Sequence, residues 1–186
     1  YEGSPAYPSA TDFMKKLSDL EFSIIGTSPK FLKALELEGY NNQHRFSHLE
    51  TILSTGSPLL DENFDFVYNK IKSQVHLASI SGGTDILGCF MLGNPLKKVE
   101  RGYIQGAGLA MDIAAFSQDG KSLIDEKGEL VCLQPFPSMP LGFLNDLDQK
   151  KFKEAYFSKF ENIWCHGDFI EIKENGGIKV FGRSDA

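Results

Sequence analysis

Ser81-Gly82-Gly83-Thr84-Asp85 places a hydroxyl and a carboxylate directly behind two glycines. Glycine lets a backbone approach a ligand closely. A threonine hydroxyl can donate to a phosphate oxygen, and an adjacent carboxylate can hold Mg²⁺ through oxygen coordination. The run follows an apolar segment, residues 74–80, that reads as a buried strand. Ligands of open α/β sheets bind beyond the carboxyl ends of strands. A Gly-Gly turn with an Asx cap fits the same five residues equally well. Thr55-Gly56-Ser57-Pro58 closes another short apolar run, residues 51–53. Alone it reads as a tight turn before a helix, but two such loops at one sheet edge suggest a ligand crevice.

Further along, His166-Gly167-Asp168 precedes a strand pattern. A carboxylate there can accept two hydroxyl hydrogen bonds, as ribose-binding acids do; a β-turn aspartate is the plainer alternative. Arg183, in Gly182-Arg183-Ser184-Asp185, offers a planar fork to a phosphate or simply pairs with Asp185 at the surface. His44 and His48 have the i, i+4 spacing of a metal pair, yet their segment reads as loop and lacks a third ligand. The sequence has no GxSxG elbow, no GxxxxGK[ST] phosphate loop and no complete GxGxxG: Gly106-Ala107-Gly108 lacks the third glycine.

Helices and strands must position these groups. Residues 8–12 open a helix with Phe13, Leu17 and Leu20 on one face. Residues 22–25 read as a buried strand. Ser28-Pro29 starts a second helix that stops at Gly39, and Phe64, Val67 and Ile71 mark a third. This strand–turn–helix repetition predicts the end of a layered, mostly parallel α/β subdomain over residues 1–93. From Gly93-Asn94-Pro95 the strands shorten, at 129–133, 169–173 and 178–181, between turns at 119–120, 126–128 and 175–177. One helix, 148–158, interrupts them. Residues 94–186 are therefore expected to form a small distorted β-barrel subdomain. The 186 residues suit one large domain or two small units. The net charge of −6 argues against a nucleic-acid surface. No apolar span suits a membrane, and three scattered cysteines point to a reducing, cytoplasmic compartment.

Taken in order, Thr55-Gly56-Ser57-Pro58, Ser81-Gly82-Gly83-Thr84-Asp85, Gly167-Asp168 and Gly182-Arg183-Ser184-Asp185 resemble the later core motifs of the adenylate-forming acyl-CoA synthetase superfamily. Residues 128–132, 137–143 and 164–171 look like its acetoacetate–CoA ligase branch in particular. The resemblance implies a two-step ligation of acetoacetate, with ATP and CoA as co-substrates and Mg²⁺ as the metal. It also implies site roles. Gly56, Ser57 and Pro58 line one wall of an adenine slot, with Val180 opposite. Ser79, Ile80, Ser81 and Gly83 belong to the nucleotide site, Ser79 where relatives bond the adenine amine. Thr84 touches the α-phosphate and Asp85 serves the metal. Asp168 binds the ribose hydroxyls, Arg183 reaches ribose or phosphate, and Asp185 is a hinge.

Two departures from the superfamily pattern bear on these roles. Asp85 stands where most members carry Glu, which favours a water-mediated metal contact. Gly82 stands where acetyl-activating relatives carry tryptophan, so Gly82 and Thr55 are expected to line a pocket opened for acetoacetate, which an indole at 82 would close. The chain is also expected to be an internal piece of a longer enzyme, without the phosphate loop before Tyr1 and the lid domain beyond Ala186, and so inactive alone. Sheet edges left by missing strands are expected to favour self-association. Two other functions fit the same residues: a synthetase for another short or branched acid, and a non-catalytic nucleotide-binding module.

Overall fold

The computed structural model describes residues 3–41 and 46–185. The chain falls into two compact units. Residues 1–80 join with 95–102, and residues 81–94 join with 103–186. The division is thus finer than a single cut at residue 93: the chain leaves the first unit after Ile80 and returns to it for one short segment.

The first unit opens with helix α1, Ala10–Ser18, whose first turn is capped by Ser9 accepting from the Asp12 amide. Strand β1 is Ile24–Thr27, two residues later than the apolar run suggests. Helix α2, Pro29–Leu37, begins as its sequence dictates, with Ser28 as the cap and proline at the first helical position. Strand β2, Thr51–Ser54, lies between β1 and β3, His76–Ser79, in an all-parallel sheet. Helix α3, Asp61–Phe66, crosses from β2 to β3 and runs on as one π-helical turn, Val67–Ile71. Leu32, Leu35, Ile52, Phe64, Val67, Ile71 and Leu77 form the buried core. Each such side chain contributes about 1.5–3 kcal/mol by leaving water. The register sets Thr27, Ser54 and Ser79 side by side. The segments that follow β2 and β3 therefore emerge at one edge, and the Ile80 amide donates to the Ser54 carbonyl at 2.9 Å.

The second unit holds two antiparallel sheets. Strands β4, Ser81–Gly83, β5, Gly88–Leu92, and β6, Gly106–Ala107, form the smaller one. The larger contains β7, Ile113–Phe116, β8, Ser122–Leu123, β9, Lys127–Cys132, β10, Trp164–Ile172, and β11, Ile178–Arg183, in the order β11-β10-β9-β7-β8. The anticipated strands are present, but among the described residues they do not close into a barrel. Helix α4, Lys150–Tyr156, is the expected insertion. The Asp146 carboxylate caps it, accepting from the amides of Lys151 and Phe152 at 3.1 and 2.9 Å. Phe90, Phe136, Phe152 and Trp164 are the large rings of this core. No helix among the described residues is long and apolar enough to cross a membrane.

Arg101 fastens the returning segment to the first unit. Its guanidinium donates to both carboxylate oxygens of Asp65, at 2.9 and 2.6 Å, and to Asp61 at 2.8 Å. The hydrogen bonds from Arg101 hold the Asp65 carboxyl below its ordinary range. A carboxyl lowered in the folded state stabilises above its unfolded value and loses that contribution as pH falls through the lowered one. Arg101→Ala should therefore lower the melting temperature at neutral pH, and the difference from the unmodified chain should vanish in acid. Melting curves across pH check this, and a difference that does not change with pH would contradict it.

Candidate active site

The Ser81–Asp85 motif is not a loop beyond a strand. Ser81, Gly82 and Gly83 are themselves strand β4, and Thr84–Leu87 forms the turn into β5, closed by Leu87 N–H donating to Thr84 O at 3.2 Å. The two glycines have separate structural reasons. A Cβ on Gly82 would lie 2.0 Å from the Gly88 carbonyl oxygen and 2.7 Å from Cys89 Cα. A Cβ on Gly83 would lie 2.8 Å from His166 Cε1. Position 82 therefore lacks a side chain because β5 packs against it. A larger side chain at position 82 would meet the backbone of Gly88 and Cys89.

Strand β10 carries the second motif on a bulge. Cys165 pairs with Val131 and Phe169 with Glu129, so His166, Gly167 and Asp168 together stand opposite Leu130 alone. Gly167, at φ +80°, makes the bend. Bulges of this kind re-aim side chains beside active sites. Asp168 emerges opposite Arg183 of β11 and accepts from its Nη1 at 3.4 Å. Burial pushes the Asp168 carboxyl above its ordinary value despite that cation, because the residue is only 8% exposed. Arg183 also pairs with Asp185, holding that carboxyl down while its own charge is reinforced. Ser184 and Lys159 donate to the buried Glu129, Lys159 at 2.5 Å. This ties the end of β11 to β9.

A cleft of about 320 Å³ within the second unit is lined by Gly82, Gly83, Thr84, Asp85, Arg183 and, from the chain between them, Ile86, Tyr156, Trp164 and His166. Thr84 and Asp85 are exposed at its rim. The Tyr156 hydroxyl donates to Asp85 Oδ2, and its ring stacks on Trp164 at 3.7 Å and 14°. Burial, then the neighbouring Asp85, pushes the Tyr156 phenol up to about 12. Tyr156, Trp164 and His166 were not singled out as site residues by the sequence. Only the helical spacing of Tyr156 with Phe152 and the adjacency of His166 to Gly167-Asp168 could have pointed to them.

Elsewhere, the second unit keeps Val180 half-buried against its own core. In the first unit, Thr55, Gly56 and Ser57 are exposed just past β2, with Pro58 half-buried. Ser79 is buried at the end of β3, and Ile80 follows it. His48 stands 3.8 Å from Glu21, and His44 lies outside the described residues. Among the described residues no group of three His, Cys, Asp or Glu side chains could hold a metal ion.

With this geometry, the fold is that of the adenylate-forming acyl-CoA synthetases. It superposes on an anthranilate CoA ligase, solved in complex with anthranoyl-AMP, with TM-score 0.79 and 15% identity over the whole chain and 34% of that ligase. More particularly, the chain is similar from end to end to a segment of acetoacetyl-CoA synthetases. Identity is 50% to that of Rhizobium meliloti (strain 1021), covering 29% of the relative, and 46% and 43% to those of Xenopus tropicalis and Mus musculus, covering 28% of each. The solved acetoacetyl-CoA synthetase of Streptomyces lividans superposes with TM-score 0.84 at 31% identity, over the whole chain and 30% of that structure. No family profile matches the sequence. The chain thus spans under a third of the length of these relatives.

The β4–β5 packing makes a direct prediction. Gly82→Ala should destabilise the chain by about 1–3 kcal/mol, the usual cost of overpacking. Gly26→Ala, with nothing within 4 Å of the added methyl, should stay within about 0.5 kcal/mol. Urea denaturation of the two variants checks this, and equal midpoints would contradict the packing assigned to Gly82.

Proposed function

We propose that this chain is part of an ATP-dependent acid–CoA ligase that activates acetoacetate as its acyl-adenylate and passes the acyl group to CoA. The observation that carries the reading is the cleft of the second unit. Two motifs far apart in sequence, Gly82-Gly83-Thr84-Asp85 and the strand pair that contributes His166 and Arg183, meet around one space, with Asp168 buried beside Arg183. The end-to-end similarity to acetoacetyl-CoA synthetases supports it.

In the first half-reaction a carboxylate oxygen attacks the α-phosphorus of ATP and the bond to pyrophosphate breaks. In the second, the CoA thiolate attacks the acyl carbon and AMP leaves. The residues of this chain bind and orient. Asp168 accepts from the ribose hydroxyls, and its burial makes those bonds strong because water does not compete. The Thr84 hydroxyl donates to the α-phosphate. Arg183, fixed by Asp185, places positive charge beside the same cleft, the kind of preorganised donor that stabilises developing phosphate charge. Ser79 and Ile80, with Thr55, Gly56, Ser57 and Pro58, are the proposed adenine and acyl contacts of the first unit. Val180 and Asp185 keep the proposed roles of adenine wall and hinge.

A single exposed carboxylate, Asp85, suits Mg²⁺ held mainly by substrate phosphates and water, the usual habit of that ion. When bound, the ion neutralises phosphate charge; Asp85, aimed by Tyr156, is the residue that would hold it. Three free cysteines accord with a cytoplasmic setting. The choice of acetoacetate over another short acid rests on the relatives. Gly82, which lines the cleft, keeps its proposed place beside the acyl group.

The test is acetoacetate-dependent exchange of pyrophosphate into ATP by a polypeptide of the relatives' length carrying this sequence. Exchange with acetoacetate should exceed that with acetate. Asp168→Ala should weaken ATP binding about ten- to a hundredfold, the loss of hydrogen bonds to a charged group. Exchange that ignores the acid supplied, or that Asp168→Ala leaves unchanged, would contradict the proposal.

A further inference from the structure

His166 is the buried polar group that the proposed chemistry leaves without a task. Its side chain is 9% exposed. It stands on the β10 bulge of the larger sheet, and its ring reaches the smaller one. Nε2 lies 3.3 Å from the Gly82 carbonyl of β4. The ring covers Gly83, where a Cβ would come within 2.8 Å of Cε1. It also packs edge-on to Phe90 of β5, with centroids 4.8 Å apart. Asp168 Oδ2 is 3.9 Å from the same Nε2, and the His166 carbonyl accepts from Arg183 Nη1 at 3.2 Å. One imidazole thus touches both sheets of the unit and both motifs of the cleft.

The hydrogen bonding fixes the form of the ring. A carbonyl oxygen can only accept, so Nε2 carries the proton. Nδ1 is buried without a partner among the described residues. A proton there would be a buried donor with nothing to receive it, which is more costly than a bare lone pair on a neutral ring. The ring therefore stays neutral and holds its proton in a structural bond, a poor arrangement for an acid or base. We propose that His166 is a positioning residue: as the neutral Nε2–H tautomer it clamps the β4–β5 hairpin to the bulge of β10, holding Thr84 and Asp85 in register with Asp168. Gly83 is then the seat of this clamp. The inference concerns the geometry of the cleft, and its link to nucleotide rests on the reading given above.

The test compares His166→Leu, which keeps bulk and loses the donor, with His166→Gln, whose amide can still donate to Gly82. In the unmodified protein, nitrogen-15 spectra of the imidazole should show the neutral Nε2–H tautomer at pH 7. The Nδ1–H tautomer or an imidazolium would overturn the clamp. His166→Leu should speed hydrogen exchange of the Leu87 amide, which closes the Thr84–Leu87 turn, by about tenfold or more, while Gln stays within about threefold. Unchanged exchange in the Leu variant would overturn the proposal, and should that variant not fold, the tautomer decides. AMP binding by calorimetry separates the two readings. Weaker binding in Leu, restored in Gln, supports both. Equal binding in all three overturns the positioning role. No AMP binding by the unmodified protein overturns the nucleotide reading and the register's link to it, leaving exchange and tautomer to judge the clamp.

Discussion

The cleft depends on one irregularity in one strand pair. Opposite Leu130 of β9, strand β10 spends three residues where a regular ladder would spend one. Without that bulge His166 and Asp168 would fall into the ordinary alternation of a strand, and the pairing of Asp168 with Arg183 would slip. The bulge needs a residue at φ +80°, and Gly167 supplies it. A Cβ at that position would also press on Arg183 Nη2 at 2.7 Å. The long Arg183 side chain can move aside, so the backbone geometry is what selects glycine here.

Around the bulge, charges are arranged so that burial is tolerable. Asp168 keeps a cation beside it in Arg183, which is itself oriented by Asp185. Glu129, equally buried, is satisfied by Lys159 and Ser184. A buried carboxylate without such partners would cost several kcal/mol. The aromatic block of Phe90, Phe136, Phe152, Tyr156 and Trp164 gives these groups a rigid backing, and Tyr156 reaches from it to Asp85. The positions of the polar groups follow from the packing of apolar ones.

Much of this was legible from residue order. Ser28-Pro29, Gly39, the Phe64–Val67–Ile71 spacing and the turn glycines marked real elements, because capping and periodicity act locally. The motifs were legible too, since spacing alone sets Thr84 and Asp85 together. What stayed hidden was decided by distant neighbours. The Gly82-Gly83 pair reads as a turn or a ligand approach until the backbone of Gly88 and the ring of His166 are seen against it. Trp164 and Tyr156 read as core, which they are, and nothing local says that the same rings also line a cleft. The barrel expected downstream is an open pair of sheets, a matter of strand pairing that short-range pattern does not encode.

Asp168 and Thr84 are proposed to serve one nucleotide-binding cleft. A crystal structure of the protein with AMP bound tests it most directly. The two ribose hydroxyls should lie on the Asp168 carboxylate and the phosphate within hydrogen-bond reach of the Thr84 hydroxyl. A nucleotide bound elsewhere, with Asp168 still meeting only His166 and Arg183, would contradict it.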